Sequence, residues 1–73
     1  MSQYSLYHNH IRLSIPCTTF PEEDRDVLLL LQRLIKEYTA QEWKPDDRYV
    51  LMNPEGDCIV YDKGFMYRMC DSG

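Results

Sequence analysis

Between Tyr4 and Ile15 apolar and polar residues exchange places at nearly every step. Ile11, Leu13 and Ile15 alternate with His10, Arg12 and Ser14, the period of a strand with one buried face. Tyr7 extends the first set backwards, and Tyr4, Leu6 and His8 extend the second with weaker contrast. The pattern predicts one strand over residues 4–16, ended by Pro16.

The period then changes. Val27, Leu31, Leu34, Ile35 and Tyr38 fall on one side of a helical wheel, with Leu28 and Leu30 on its flanks. Thr19 and Glu22 stand at the spacing of a capping box, and Pro21 is tolerated in a first helical turn. Glu22, Glu23, Asp24 and Asp26 suit the positive end of a helix dipole. A helix is predicted over residues 20–40, with Asp24 as an alternative start. It stops before Lys44-Pro45, since a residue preceding proline is pushed out of helical geometry. Leu29 lies on the opposite side, among Arg25, Gln32, Arg33 and Lys36. It is either an ordinary exposed leucine or a contact for a partner.

Beyond residue 48 the pattern is strand and turn. Strands are predicted over 48–53, 58–62 and 65–69, separated by Pro54-Glu55-Gly56 and Asp62-Lys63-Gly64. The expected architecture is a single α+β domain over residues 1–73, ordered β-α-β-β-β. It has a four-stranded, mainly antiparallel sheet with one helix packed on one face.

Reading both turns as three-residue loops ending in glycine sets a register. Tyr49 then opposes Tyr61, Leu51 opposes Ile59, Tyr61 opposes Phe65, and Ile59 opposes Tyr67. One face carries Tyr49, Leu51, Ile59, Tyr61, Phe65 and Tyr67; the other carries Val50, Met52, Cys58, Val60, Met66 and Arg68. Both are apolar, and one helix covers one face. We expect the helix on the Val50, Cys58, Val60 face and an open aromatic face for a partner, built from Tyr49, Tyr61, Phe65 and Tyr67. The inverted sheet is the alternative, and the accessibility of Tyr61 against Val60 decides between them.

Composition narrows the chemistry. The chain has 73 residues, 44% of them hydrophobic and 27% charged, the balance of a folded domain. A core of this size rarely supplies more than about 3 to 5 kcal/mol, so disulfides, a metal or a partner usually help. Cys17, Cys58 and Cys70 make an odd number without C-x-x-C spacing, which argues against a disulfide framework or a zinc knuckle. His8 and His10, two apart on the predicted strand, would share a face and could chelate a metal. No third ligand stands at suitable spacing, so neither a metal nor a cofactor is expected.

Twelve acidic against eight basic residues give a net charge of −4. The basic residues are scattered singly, which argues against nucleic acid and against a polybasic membrane contact. The longest apolar run, Val27–Leu31, is far short of a membrane span. Met-Ser-Gln-Tyr-Ser lacks the regions of a signal peptide, and Cys70-Asp71-Ser72-Gly73 is no prenylation box because its middle positions are not aliphatic. The expected compartment is the cytoplasm.

No catalytic triad, paired-carboxylate motif or glycine-rich loop can be assembled from the spacing, so no enzyme is expected. The leading expectation is a protein-binding module that occupies a partner's surface. Its size and charge suit viral accessory inhibitors that would act in a host cytoplasm, such as an anti-CRISPR. The alternative is a homodimeric structural or regulatory subunit that joins open sheet faces. A third is an aromatic platform for nucleic acid, which has the rings but lacks the charge.

Overall fold

The computed structural model describes residues 3–16 and 19–69. Where one long strand is predicted there are two, β1 (Tyr4–His8) and β2 (Ile11–Ile15), folded back on each other at Asn9-His10. Asn9 takes a left-handed φ of 56°, a conformation asparagine tolerates better than most residues. Its amide donates to the Arg48 carbonyl at 3.0 Å and its side-chain oxygen accepts from the Arg48 amide at 3.2 Å. The reversal is thereby fastened to the strand that begins at Arg48.

Three further strands follow the helix: β3 (Arg48–Met52), β4 (Cys58–Asp62) and β5 (Phe65–Met69). Together they form a five-stranded antiparallel sheet in the order β2-β1-β3-β4-β5. The four predicted strands therefore become five. Since β2 and β3 each run antiparallel to β1, they are parallel to one another, and the helix is the crossover between them.

That helix, α1, runs over Asp24–Thr39, beginning at the alternative start, Asp24, rather than at residue 20. Glu23 is its N-cap, without a side-chain capping bond, so the Thr19–Glu22 capping box does not form. Pro21 disfavours helical geometry at Phe20, and the carbonyls of Pro21 and Glu22 accept from the Arg68 guanidinium of β5 at 2.7 Å and 2.8 Å. At the other end Ala40 turns left-handed, with φ 57°, and the Thr39 hydroxyl donates to the Ile35 carbonyl.

The β3–β4 register is the one expected, Tyr49 opposite Tyr61 and Leu51 opposite Ile59. The β4–β5 register is not. Asp62 opposes Phe65, Tyr61 opposes Met66, and Val60 opposes Tyr67. The turn is two residues long, Lys63-Gly64, with both φ angles positive at 51° and 93°. Such a turn matches the right-handed twist of the strands, and it shifts every β5 side chain to the opposite face.

Leu6, Ile15, Tyr49, Leu51, Ile59 and Tyr61 of the sheet form one buried cluster with Val27, Leu30, Leu31, Leu34 and Ile35 of α1. The helix is thus associated with the aromatic face, opposite to expectation. Tyr61 is 7% exposed, but so little of Val60 is open (2%) that the proposed comparison of the two does not discriminate. Membership of the cluster does. Val60 is outside it, flanked on the other face by Val50 and Tyr67. Tyr38, expected at the centre of the helix stripe, is exposed.

The Lys63-Gly64 turn gives a direct test. A Cβ on Gly64 would meet nothing within 4 Å, so any penalty there is conformational. Gly64→Ala should cost about 1 kcal/mol, and Lys63→Asn should be neutral or stabilising, both read by urea unfolding. An unchanged midpoint for Gly64→Ala would contradict the left-handed turn.

Candidate functional site

Two groups of side chains stand out, on opposite faces of the sheet. The first is an aromatic stack at one end of the helix side. His8 of β1 and Tyr49 of β3 are cross-strand neighbours, and their rings stack at 4.5 Å and 17°. Trp43, from the segment joining α1 to β3, stacks on Tyr49 at 4.3 Å and 17°. Two rings parallel to Tyr49 and in contact with it cannot share one of its faces, so Tyr49 is held between them. Tyr61 closes the group, 4.9 Å from Trp43 and tilted by 59°.

Polar bonds fasten the same segment. The Lys44 amide donates to the Tyr49 hydroxyl at 3.1 Å, and the Tyr61 hydroxyl donates to the Pro45 carbonyl at 2.9 Å. His8 Nε2 lies 2.8 Å from Asp47 Oδ2. An ionised carboxylate only accepts, so Nε2 is the donating nitrogen. That hydrogen bond holds the Asp47 carboxyl below its ordinary value of 3.8, helped by the nearby Lys44 ammonium and opposed by partial burial. Burial pushes the Tyr49 phenol upward, and the negative charge of Asp47 adds to this.

The His8 side chain is 8% exposed, with one ring face on Tyr49 and Nε2 on Asp47, so the contact fastens the 43–47 segment to β1. The pair is a bracket. His8 and His10 also fail to share a strand face, because the chain reverses between them: His8 is buried and His10 sits exposed in the turn. Among the described residues no three His, Cys, Asp or Glu side chains gather as a metal site would require. Cys58 is half-buried on the other face, while Cys17 and Cys70 lie outside the described residues.

The second group is the sheet face away from α1. Tyr7, Val50, Met52, Cys58, Val60, Phe65, Tyr67 and Met69 share it by register. Phe65, Tyr67 and Met69, at alternate positions of edge strand β5, are 76%, 45% and 54% exposed. Across Val60 from them lies a shallow hollow of about 210 Å³ lined by Tyr7, Asn9, Arg48, Val50 and Met52. The charged strand residues on this face are Arg12, Arg48 and Asp62, and Arg48 reaches Asp62 at 4.0 Å. In a chain of net charge −4 this face is locally the less acidic one.

The expected partner surface is therefore divided. Tyr49 and Tyr61 belong to the core and are unavailable to a partner, whereas Phe65 and Tyr67 are open on the other face. Leu29 is 58% exposed on α1. It points away from the sheet, so it is not continuous with Phe65 and Tyr67. Met69, Trp43 and Asp47 were not singled out by sequence reasoning. Trp43 carried a signal, as the sole tryptophan just before the helix-terminating Lys44-Pro45; Asp47 carried none.

Compared with models of known protein families, with curated proteins and with solved structures, the chain matches none. Among the described residues no helix is long and apolar enough to cross a membrane.

The His8–Asp47 bracket predicts a pH dependence. A carboxyl depressed in the folded state contributes stability above its unfolded pKa, near 3.8, and loses it as pH falls through the lower folded value. Asp47→Asn should lower the melting temperature at neutral pH. Its deficit against the wild type should shrink on acidification below about pH 4. A deficit that stays constant into strong acid would remove Asp47 from this role.

Proposed function

We propose that this chain is a small protein-binding module that docks through the sheet face carrying Phe65, Tyr67 and Met69 and modulates its partner by occupying the partner's surface. The observation that carries the reading is the exposed row Phe65, Tyr67 and Met69 on β5, beside the half-buried Val50 and Met52. Aromatic residues and methionine are enriched at protein interfaces, where a broad apolar side chain is desolvated on contact. The far side of β5 is already engaged, because Arg68 binds the segment that leads into α1. The row is thereby held on an anchored strand, which lowers the ordering cost of association. Arg12 and Arg48 favour a partner surface that is apolar with acidic groups at its rim. The comparison with viral accessory inhibitors rests on size and charge alone.

A binding role suits the His8–Asp47 geometry better than a catalytic one, since the pair is spent on holding the 43–47 segment.

A specific observation also favours self-association. Asp62 and Phe65 close a two-residue hairpin as a hydrogen-bonded pair, so the backbone groups of Met66 and Arg68 point to the free edge of β5. Two copies pairing antiparallel about Tyr67 would place Phe65 of each against Met69 of the other. This is the homodimer reading.

The test uses Phe65→Ala combined with Tyr67→Ser, changes at exposed positions that should leave the far-UV spectrum and melting temperature nearly unchanged. Light scattering on dilution comes first, followed by quantitative capture of partners from the native host. A monomer whose specific capture falls at least tenfold in the double variant supports the module reading. A wild-type dimer that the variant abolishes supports self-association instead. Capture and oligomeric state both unchanged in the variant would exclude this face.

A further inference from the structure

On the helix side, away from the docking face, the second half of α1 and the segment after it enclose a groove of about 700 Å³. Its walls include Gln32, Arg33, Lys36, Gln41, Glu42 and Trp43. That is the size of a site for a small molecule, which typically spans about 300 to 1,000 Å³. The left-handed turn at Ala40 ends the helix and lets the chain bring Trp43 back beside it. The indole cannot collapse into the groove, because one of its faces lies flat on Tyr49 and Tyr61 braces it at a tilt. The half-buried indole forms part of the groove wall.

The cationic side of the groove is as well defined. Arg33 and Lys36 stand three residues apart and so share one face of the helix. Among the described residues neither is paired with an acid, which also holds for Arg12, Arg25, Lys44 and Lys63; Arg33 and Lys36 are the two that line this groove. Glu42 is the lone acid on the walls. An acidic chain thus keeps two unpaired cations next to a braced aromatic ring.

We propose that this groove binds a small organic anion with a planar ring, the ring lying against Trp43 and its phosphate or carboxylate held by Arg33 and Lys36. A guanidinium offers a planar fork of donors that fits either anion, and the lysine adds a point charge. The indole face supplies the apolar half of the site. A neutral ring would leave the cations unused, and a bare inorganic anion would leave the indole unused.

Trp43 is the chain's sole tryptophan, so its fluorescence reports on the one indole in the groove wall. The probes are adenosine 5′-monophosphate and benzoate, with adenosine and inorganic phosphate as controls. The proposal expects saturable quenching or shift by at least one of the two ring-bearing anions, with adenosine and phosphate each at least about tenfold weaker. Arg33→Gln combined with Lys36→Gln, at exposed helix positions that should not disturb folding, should weaken that binding at least about tenfold. Response to the nucleotide alone assigns phosphate as the anion, and response to benzoate alone assigns carboxylate. Amide chemical shifts of Gln32, Arg33 and Gln41 guard against a spectroscopically silent complex. The proposal is overturned by any of three results: no saturable response to either anion in both measurements, equal binding of a control, or undiminished binding by the double variant.

Discussion

The enclosure of one tyrosine ring organises this small domain. Tyr49 has no exposed surface, and its ring is pressed between His8 from a neighbouring strand and Trp43 from the connection. Burying a tyrosine requires its hydroxyl to be partnered, and the partner is the Lys44 amide. That need ties the irregular segment between α1 and β3 to the sheet. Tyr61 and the His8–Asp47 bond tie it again. The marginal core of a chain this short is thus extended past the helix by a stack of rings.

The same arrangement separates the two faces of the sheet. Aromatic bulk that the sequence distributes along β3 and β4 is consumed on the helix side, where Tyr49 and Tyr61 join Leu6, Leu51 and Ile59 in the core. The face left over is built by β5, the strand whose side chains depend most on a turn. Arg68 fixes that strand by reaching the carbonyls of Pro21 and Glu22, in the segment that leads into the helix. Those two bonds steady the strand that carries the row of exposed β5 side chains.

Much of the fold was legible where a local pattern is strong. The alternation of Ile11, Leu13 and Ile15, the Val27, Leu31, Leu34, Ile35 stripe, and the Pro54-Glu55-Gly56 turn each specify an element from near neighbours. Asn9-His10 was harder. The two-residue turn pairs His8 with Ile11 and Leu6 with Leu13, so the inward set passes from even to odd positions; read as one strand, that change of phase shows only as weaker alternation before Ile11. Lys63-Gly64 was harder still, since a two-residue and a three-residue turn fit the same letters and differ by one step of register.

By itself the sequence determined an α+β domain, the amphipathic helix, the β3–β4 pairing and two apolar sheet faces. Those features follow from spacing along the chain, which is a local property. Only the tertiary structure decided that β1 and β2 are separate strands, that the aromatic face is the core, and that Phe65 and Tyr67 point away from Tyr61. Each of those outcomes depends on a turn's backbone angles or on contacts between distant segments. A shift of one residue at Lys63-Gly64 exchanges inside for outside along all of β5, and the surface available to a partner changes with it.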